Sequence, residues 1–314
     1  MFKLRIISAV VMMSVFLICF FVLPPIFFRL FIYIITVILM VELLKLLEHC
    51  WDKTNNRSRK IYIFISILVG LLILFISEFI DHKASGGAFY LPIFMISLIS
   101  WIMGLIFGPP FIPFVSKKKS FQQTIMLQNH EVDTLNQRDV FPIGQSFKTG
   151  YDWICISFPF YIILPLTCSL LYLFEYDKNY LFFVLLIIWL ADTGAYIAGK
   201  RFGKIKIAEN ISPGKTLEGV VGAIVINVIF MLVVGLNFSE FNIIGGIVFG
   251  LIITLVSIYG DLFISWIKRS AGVKDTGNII PGHGGFLDRV DSFLLALPFA
   301  ALINIFAPSN LLTI

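Results

Sequence analysis

Two aspartates lie where a charge is expensive. Asp192 sits in Ile187-Ile-Trp-Leu-Ala-Asp192-Thr-Gly-Ala-Tyr196, and Asp261 in Ser257-Ile-Tyr-Gly-Asp261-Leu-Phe-Ile-Ser265-Trp266. A charge at membrane depth costs about 2.5 to 3.5 kcal/mol on insertion scales, so each acid should face a partner or a wet cavity. A helix-packing pair with a buried cation is one reading. Neither acid has a basic neighbour at helical spacing within its own apolar run, which favours function over packing. Positions i, i+4 and i+7 of an α-helix share a face, so Asp261, Ser265 and Lys268 form one stripe with Arg269 beside it. An acid at depth below two cations suits a metal held by carboxylate, with phosphate oxygens reaching up to the basic end.

The densest polar run follows directly, from Ser265 to Asp291, and includes Lys274 and Asp275. In it Gly282, Gly284 and Gly285 surround His283, and glycines let backbone N–H groups approach an anion closely. Asp288 and Asp291 are three apart and share a face where the next helix begins. They read either as acids offsetting a helix dipole or as metal ligands, and their basic, Gly-rich company points to metal and phosphate. His283 is either a loop hydrogen-bonder or a proton-transfer group. A third polar element joins Gly199-Lys-Arg-Phe-Gly-Lys-Ile-Lys206 to Ile211-Ser-Pro-Gly-Lys-Thr-Leu-Glu-Gly219. Its Gly-Lys-Thr tripeptide is shared with P-loops, but Gly-x-x-x-x-Gly-Lys is absent and no strand is expected before it, so that reading is rejected. What remains is Ser212, Lys215 and Thr216 at a helix start, where free amides favour anions. Lys204 and Lys206 read as ordinary loop charges.

The elements that must position these residues are membrane helices. Of 314 residues, 58% are hydrophobic and 14% charged, and the mean hydropathy is +0.93. No polar stretch is long enough for a separate soluble domain. The net charge of +5 comes from basic residues between apolar runs, a topology signal rather than a nucleic-acid surface. A span needs about 20 apolar residues. Nine segments qualify: about 5–24, 26–47, 61–80, 89–112, 153–174, 180–199, 219–236, 242–267 and 293–312. The expected fold is all-α and polytopic, with N-terminal helices over 1–115, a polar cytoplasmic connection over 116–152 and a catalytic region over 153–314. A β-barrel would show alternation instead. The first segment starts like a signal peptide but ends in Val22-Leu-Pro-Pro25, so it is expected to remain as a span. The four scattered cysteines suggest neither zinc nor disulfides. Placing 21 of the 24 Lys and Arg residues on one side makes the N-terminus cytoplasmic, the C-terminus external, and the two Gly-rich connections cytoplasmic. Gly246 and Gly250, four apart, are expected to let another helix approach.

These motifs together resemble a known family. Ser265-x-x-Lys268-Arg269-x-x-x-x-Lys274-Asp275, then Pro281-Gly-His-Gly-Gly285-x-x-Asp288-Arg289-x-Asp291, is similar to the signature of phosphatidate cytidylyltransferases, the CDP-diacylglycerol synthases. The segments Ala191–Gly199 and Ile211–Gly219 resemble that family's other shared blocks, and the likeness is dense over 185–295. The resemblance implies condensation of phosphatidate with CTP to CDP-diacylglycerol and pyrophosphate, with Mg²⁺, in a homodimer embedded among membrane lipids, most simply in a bacterial inner membrane. It carries metal ligation onto Asp261 and Asp288, with Asp291 beside them. Lys268, Arg269, His283 and Asp288 become the catalytic set, and Asp192, Ser212, Lys215, Thr216, Ser265, Lys274 and Asp275 the substrate-binding set. The 116–152 connection is longer than the family's pattern. Two alternatives are another CTP-using lipid enzyme, such as a dolichol or polyprenol kinase or a CDP-archaeol synthase, and an ion-coupled transporter using Asp192 and Asp261.

Overall fold

The computed structural model describes residues 2–48, 89–107, 152–209, 211–238, 241–277, 279–280 and 284–306. The expected span over 61–80, most of the 116–152 connection, and His283 lie outside the described residues. Apolar helix α1 (Phe2–Leu17) runs into a π-helical turn at Ile18–Val22. Helix α2 (Pro25–Glu48) then starts on a proline, whose missing N–H is harmless in a first turn. Next come α3 (Leu91–Phe107), α4 (Asp152–Tyr176) and α5 (Lys178–Phe202). Asp177 alone separates α4 from α5, and its carboxylate caps α5 by accepting from the Asn179 N–H at 2.8 Å.

One short hairpin then interrupts the otherwise helical chain. Strands β1 (Lys206–Ala208) and β2 (Ser212–Thr216) form a small antiparallel hairpin. Strand β1 precedes Gly214, Lys215 and Thr216, which corrects the expectation of no strand before them, and β2 contains all three. The pair is antiparallel and the P-loop spacing is still missing, so the rejection stands. Pro213 and Gly214 hide the strand from a pattern reading, because neither residue type favours β structure. The Thr216 hydroxyl oxygen caps α6 (Leu217–Asn237), accepting from the Gly219 N–H at 3.2 Å. Helix α7 (Ile243–Ser270), the one-turn α8 (Leu287–Val290) and α9 (Phe293–Phe306) complete the order.

Ten residues of α9 are buried, around most of its circumference. A helix apolar all round belongs inside a bundle, and α9 packs against α3, α4, α5 and α7. Its one buried amide is satisfied: Tyr172 of α4 donates its OH to Asn304 Oδ1 at 2.8 Å. Helices α1 and α6 instead expose apolar side chains outward, Ile229 and Leu236 among them, as lipid-facing helices do. Helix α5 meets α6 through glycines. A Cβ on Gly222 would strike the Ala198 Cβ and lie 2.8 Å from the Gly194 carbonyl oxygen. This seam, absent from the sequence expectations, fixes α5 and with it Asp192. Of the expected pair, Gly250 does admit Met231 of α6, whereas Gly246 faces the Phe241 ring just before its own helix.

The chain is a mostly helical membrane protein. Among the described residues, four helices are long and apolar enough to cross a bilayer: Pro25–Leu46, Lys178–Phe202, Leu217–Asn237 and Ile243–Arg269. Shorter apolar helices at Ile7–Val22, Tyr161–Tyr176 and Phe293–Phe306 fall on three more of the expected spans.

Candidate active site

Polar groups of α2, α5, α7, α8, the hairpin and the loop residues Thr276 and Gly285 meet at one end of the bundle. Lys268, near the end of α7, is buried, and its Nζ lies 2.8 Å from Asp288 Oδ1 and 3.9 Å from Asp291 Oδ2. The other Asp288 oxygen accepts three hydrogen bonds: from the Thr276 N–H at 2.9 Å, the Thr276 hydroxyl at 3.1 Å and the Gly285 N–H at 3.0 Å. A second ion pair stands beside the first. Lys215 Nζ of β2 lies 2.5 Å from Asp261 Oδ2, and Ser265 donates to Asp261 Oδ1 at 3.3 Å, as their i, i+4 spacing requires. Asp192 of α5 accepts from the Ser292 hydroxyl on both oxygens, at 3.2 and 3.0 Å. The Ser292 N–H donates to Asp291 Oδ1 at 3.0 Å.

Backbone geometry brings these groups round. Gly272, at φ +71°, ends α7 in a Schellman turn: its N–H bonds the Arg269 carbonyl and the Val273 N–H bonds the Lys268 carbonyl, both at 3.0 Å. The loop closes on itself where Ile280 N–H donates to the Gly284 carbonyl at 3.0 Å. Gly284 then turns left-handed, φ +85°, where a Cβ would sit 3.1 Å from Asp288 Oδ2.

Electrostatics separates the two acids of α8 and its end. Burial alone would lift the Asp288 carboxyl, but Lys268 and the Thr276 and Gly285 amides outweigh it and hold the group below the ordinary carboxylate value. Asp291 goes the other way. Burial first, then the Asp261 carboxylate, push it well above the ordinary value, while Lys268 and Lys215 pull it down and Asp192 adds to the rise. The charges of Asp192, Asp261, Asp291, Lys215 and Lys268 are therefore felt at one point.

Apart from His283, which lies outside the described residues, the expected residues fall into two groups. Asp192, Lys215, Asp261, Ser265, Lys268, Asp288 and Asp291 come together. Arg269 turns aside: its guanidinium donates to the carbonyls of Ile211 and Val273, both at 3.1 Å, tying the hairpin loop to α7. Thr216 is buried as the α6 cap, Ser212 is half-buried in β2, and Lys274 and Asp275 are exposed on the loop. Three residues escaped the sequence reading. Thr276 and Ser292 carry hydrogen bonds that no spacing rule reveals. Glu42 of α2, 2% exposed, accepts from the N–H groups of Phe286 at 2.9 Å and Leu287 at 2.7 Å. It was legible as an acid within an apolar run, by the argument applied to Asp192 and Asp261.

Lysine ammonium groups and carboxylate oxygens are the groups that phosphate and divalent-cation sites use, and here they converge in one cluster. The chain is 35% identical over 180 residues to the phosphatidate cytidylyltransferase of Haemophilus influenzae, covering 53% of this chain and 62% of the relative. It is 40% identical over 163 residues to that of Staphylococcus saprophyticus, with 50% and 61% covered. Against that of Staphylococcus aureus it is 48% identical over 129 residues, with 40% and 48% covered. The chain thus spans about half to three fifths of the length of these curated relatives. The sequence model described as "Cytidylyltransferase family" matches residues 3–306, nearly the whole chain, and the protein belongs to that family.

Proposed function

We propose that the protein transfers a cytidylyl group from CTP to phosphatidate, giving CDP-diacylglycerol and pyrophosphate in phospholipid synthesis. The observation that supports it best is the paired arrangement of Lys215 with Asp261 and Lys268 with Asp288, in a bundle whose family transfers cytidylyl groups. A phosphatidate phosphate oxygen attacks the α-phosphorus of CTP. The bond from that phosphorus to the β-phosphate oxygen breaks, and pyrophosphate leaves with the electron pair. No protein nucleophile is required, so the side chains act by positioning and charge neutralisation. Lys215, with about a fifth of its side chain exposed, meets incoming phosphate. Lys268, locked by Asp288, presents a fixed positive charge to the developing pyrophosphate.

The residues present fit Mg²⁺. Carboxylate oxygens are hard donors, and Mg²⁺ is commonly held by one or two carboxylates plus substrate phosphates and water. Asp261 and Asp288 would hold it, with Asp291 adjacent. Among the described residues no three His, Cys, Asp or Glu side chains are grouped around one point, and substrate phosphate oxygens would supply further donors. When bound, the ion withdraws charge from the phosphate oxygens it contacts. The Lys and Arg partition supports an active site facing the cytoplasm, here of a bacterial inner membrane, and the family resemblance supports a homodimer.

Purified protein incubated with labelled CTP and Mg²⁺ against phosphatidate, dolichol, polyprenol and an unsaturated archaeal ether-lipid phosphate tests the acceptor. Liponucleotide from phosphatidate alone is the expected result. Turnover of another acceptor with none of phosphatidate contradicts the assignment.

A further inference from the structure

We infer that Glu42, on α2 and far in sequence from the signature residues, is a positioning residue that sets the Asp288–Lys268 pair for catalysis. Its carboxylate is buried and accepts from two consecutive backbone amides, Phe286 at 2.9 Å and Leu287 at 2.7 Å, immediately before Asp288. The Thr276 hydroxyl lies 3.3 Å from Glu42 Oε2 and 3.1 Å from Asp288 Oδ2, so its one hydrogen is shared between the two acids. Glycines let the chain close around this carboxylate. A Cβ on Gly285 would strike the Thr276 hydroxyl and lie 2.9 Å from Glu42 Oε2, and one on Gly277 would lie 3.1 Å from Glu42 Oε1. Both ends of the loop that carries Thr276 and Gly285 thus rest on one side chain from the N-terminal half. Asp288 takes its own hydrogen bonds from Thr276 and Gly285, the residues that Glu42 gathers. Glu42 touches neither Lys268 nor Asp288 in these contacts; it acts through the loop.

The inference rests on the proposed reaction for its kinetic consequence but not for its structural one, and two measurements separate them. Glu42→Gln keeps the volume but turns an N–H donor towards amides that need an acceptor. In full-length purified protein, amide hydrogen exchange over 284–288 should quicken in Glu42→Gln while α5 and α6 stay as in wild type. Unchanged exchange there overturns the inference, whatever the reaction proves to be. Where wild type turns over CTP and phosphatidate, kcat should fall on the order of 10²-fold, as for misplaced catalytic groups, with KM for CTP moving less than about threefold. Glu42→Asp, which keeps the charge and loses one methylene, should recover part of kcat. A residue that merely braces α2 predicts a lowered Tm with wild-type kcat per folded molecule, and that outcome also overturns the inference. If wild type forms no product, the proposed function fails, and the exchange measurement still decides Glu42.

Discussion

Lys268 stands between two carboxylates of opposite character, and their environments dictate different responses to the same substitution. Asp288 is held below the ordinary carboxylate value by its partners. Asp288→Asn should leave a buried ammonium undercompensated, at a cost of about 3 to 5 kcal/mol, and so lower both Tm and turnover. Asp291 is lifted by burial and by Asp261. A carboxyl so lifted favours folding fully below the ordinary carboxylate range, and that gain is lost as pH rises through the lifted value. In a chelating buffer at neutral pH, Asp291→Asn should therefore raise Tm, and the gain should shrink on acidification; a Tm below wild type at pH 7 would contradict this account of the charges. Asp261→Asn is the cleaner probe of metal use, because among the described residues its direct side-chain partners are Lys215 and Ser265, away from the Lys268–Asp288 pair. It should cost about 10² or more in kcat with a raised Mg²⁺ requirement, comparable to losing one electrostatic stabiliser. Wild-type activity and Mg²⁺ dependence with a lowered Tm would show a packing role instead. Asp192 and Asp261 were legible because an acid among Ile, Leu and Phe is conspicuous. Their partners on other elements, Lys215 and Ser292, were not, because no periodicity connects them to the two acids.

Helix α7 was readable at the level of a face, since Asp261 and Ser265 do meet at i, i+4 spacing. Lys268, on the same stripe, is drawn away by Asp288, a tertiary contact that the 3.6-residue period does not contain. The hairpin escaped because Pro, Gly and Lys dominate its second strand. It nevertheless sets Lys215 against Asp261 and leads into the α6 cap. Thr216→Ala should cost about 1 kcal/mol through the lost cap. On the α5–α6 seam, Gly222→Val should cost about 1 to 3 kcal/mol or more, because the new side chain meets Ala198 and backbone with no room to shift. Both costs appear as lowered Tm in a detergent melt. A Gly222→Val melt equal to wild type would show that the helices separate freely.

Across the whole molecule, charge and apolar surface give a polar end that carries the candidate site on a bundle with apolar outer faces. Helix α2 spans it: Arg29 near one end pairs with Glu175 at 2.7 Å, and Glu42 lies about 20 Å further along the axis, in the candidate site. The apolar runs made the membrane class legible, while the number of spans depends on segments outside the described residues. Cysteines introduced near Asn278 and after Thr313 in a cysteine-free background should differ in reaction with an impermeant thiol reagent on intact cells, the C-terminal one labelling and the other not. The reverse pattern would invert the topology. In the proposed reaction the α-phosphorus moves with its cytidine to the lipid phosphate, and one measurement tests this most directly: parallel reactions of purified protein, phosphatidate and Mg²⁺ with CTP labelled at the α- or the γ-phosphorus. The account predicts α-label in the lipid and γ-label in released pyrophosphate. Label from the γ-position in the lipid, or no transfer of the α-label from CTP that is consumed, would contradict it.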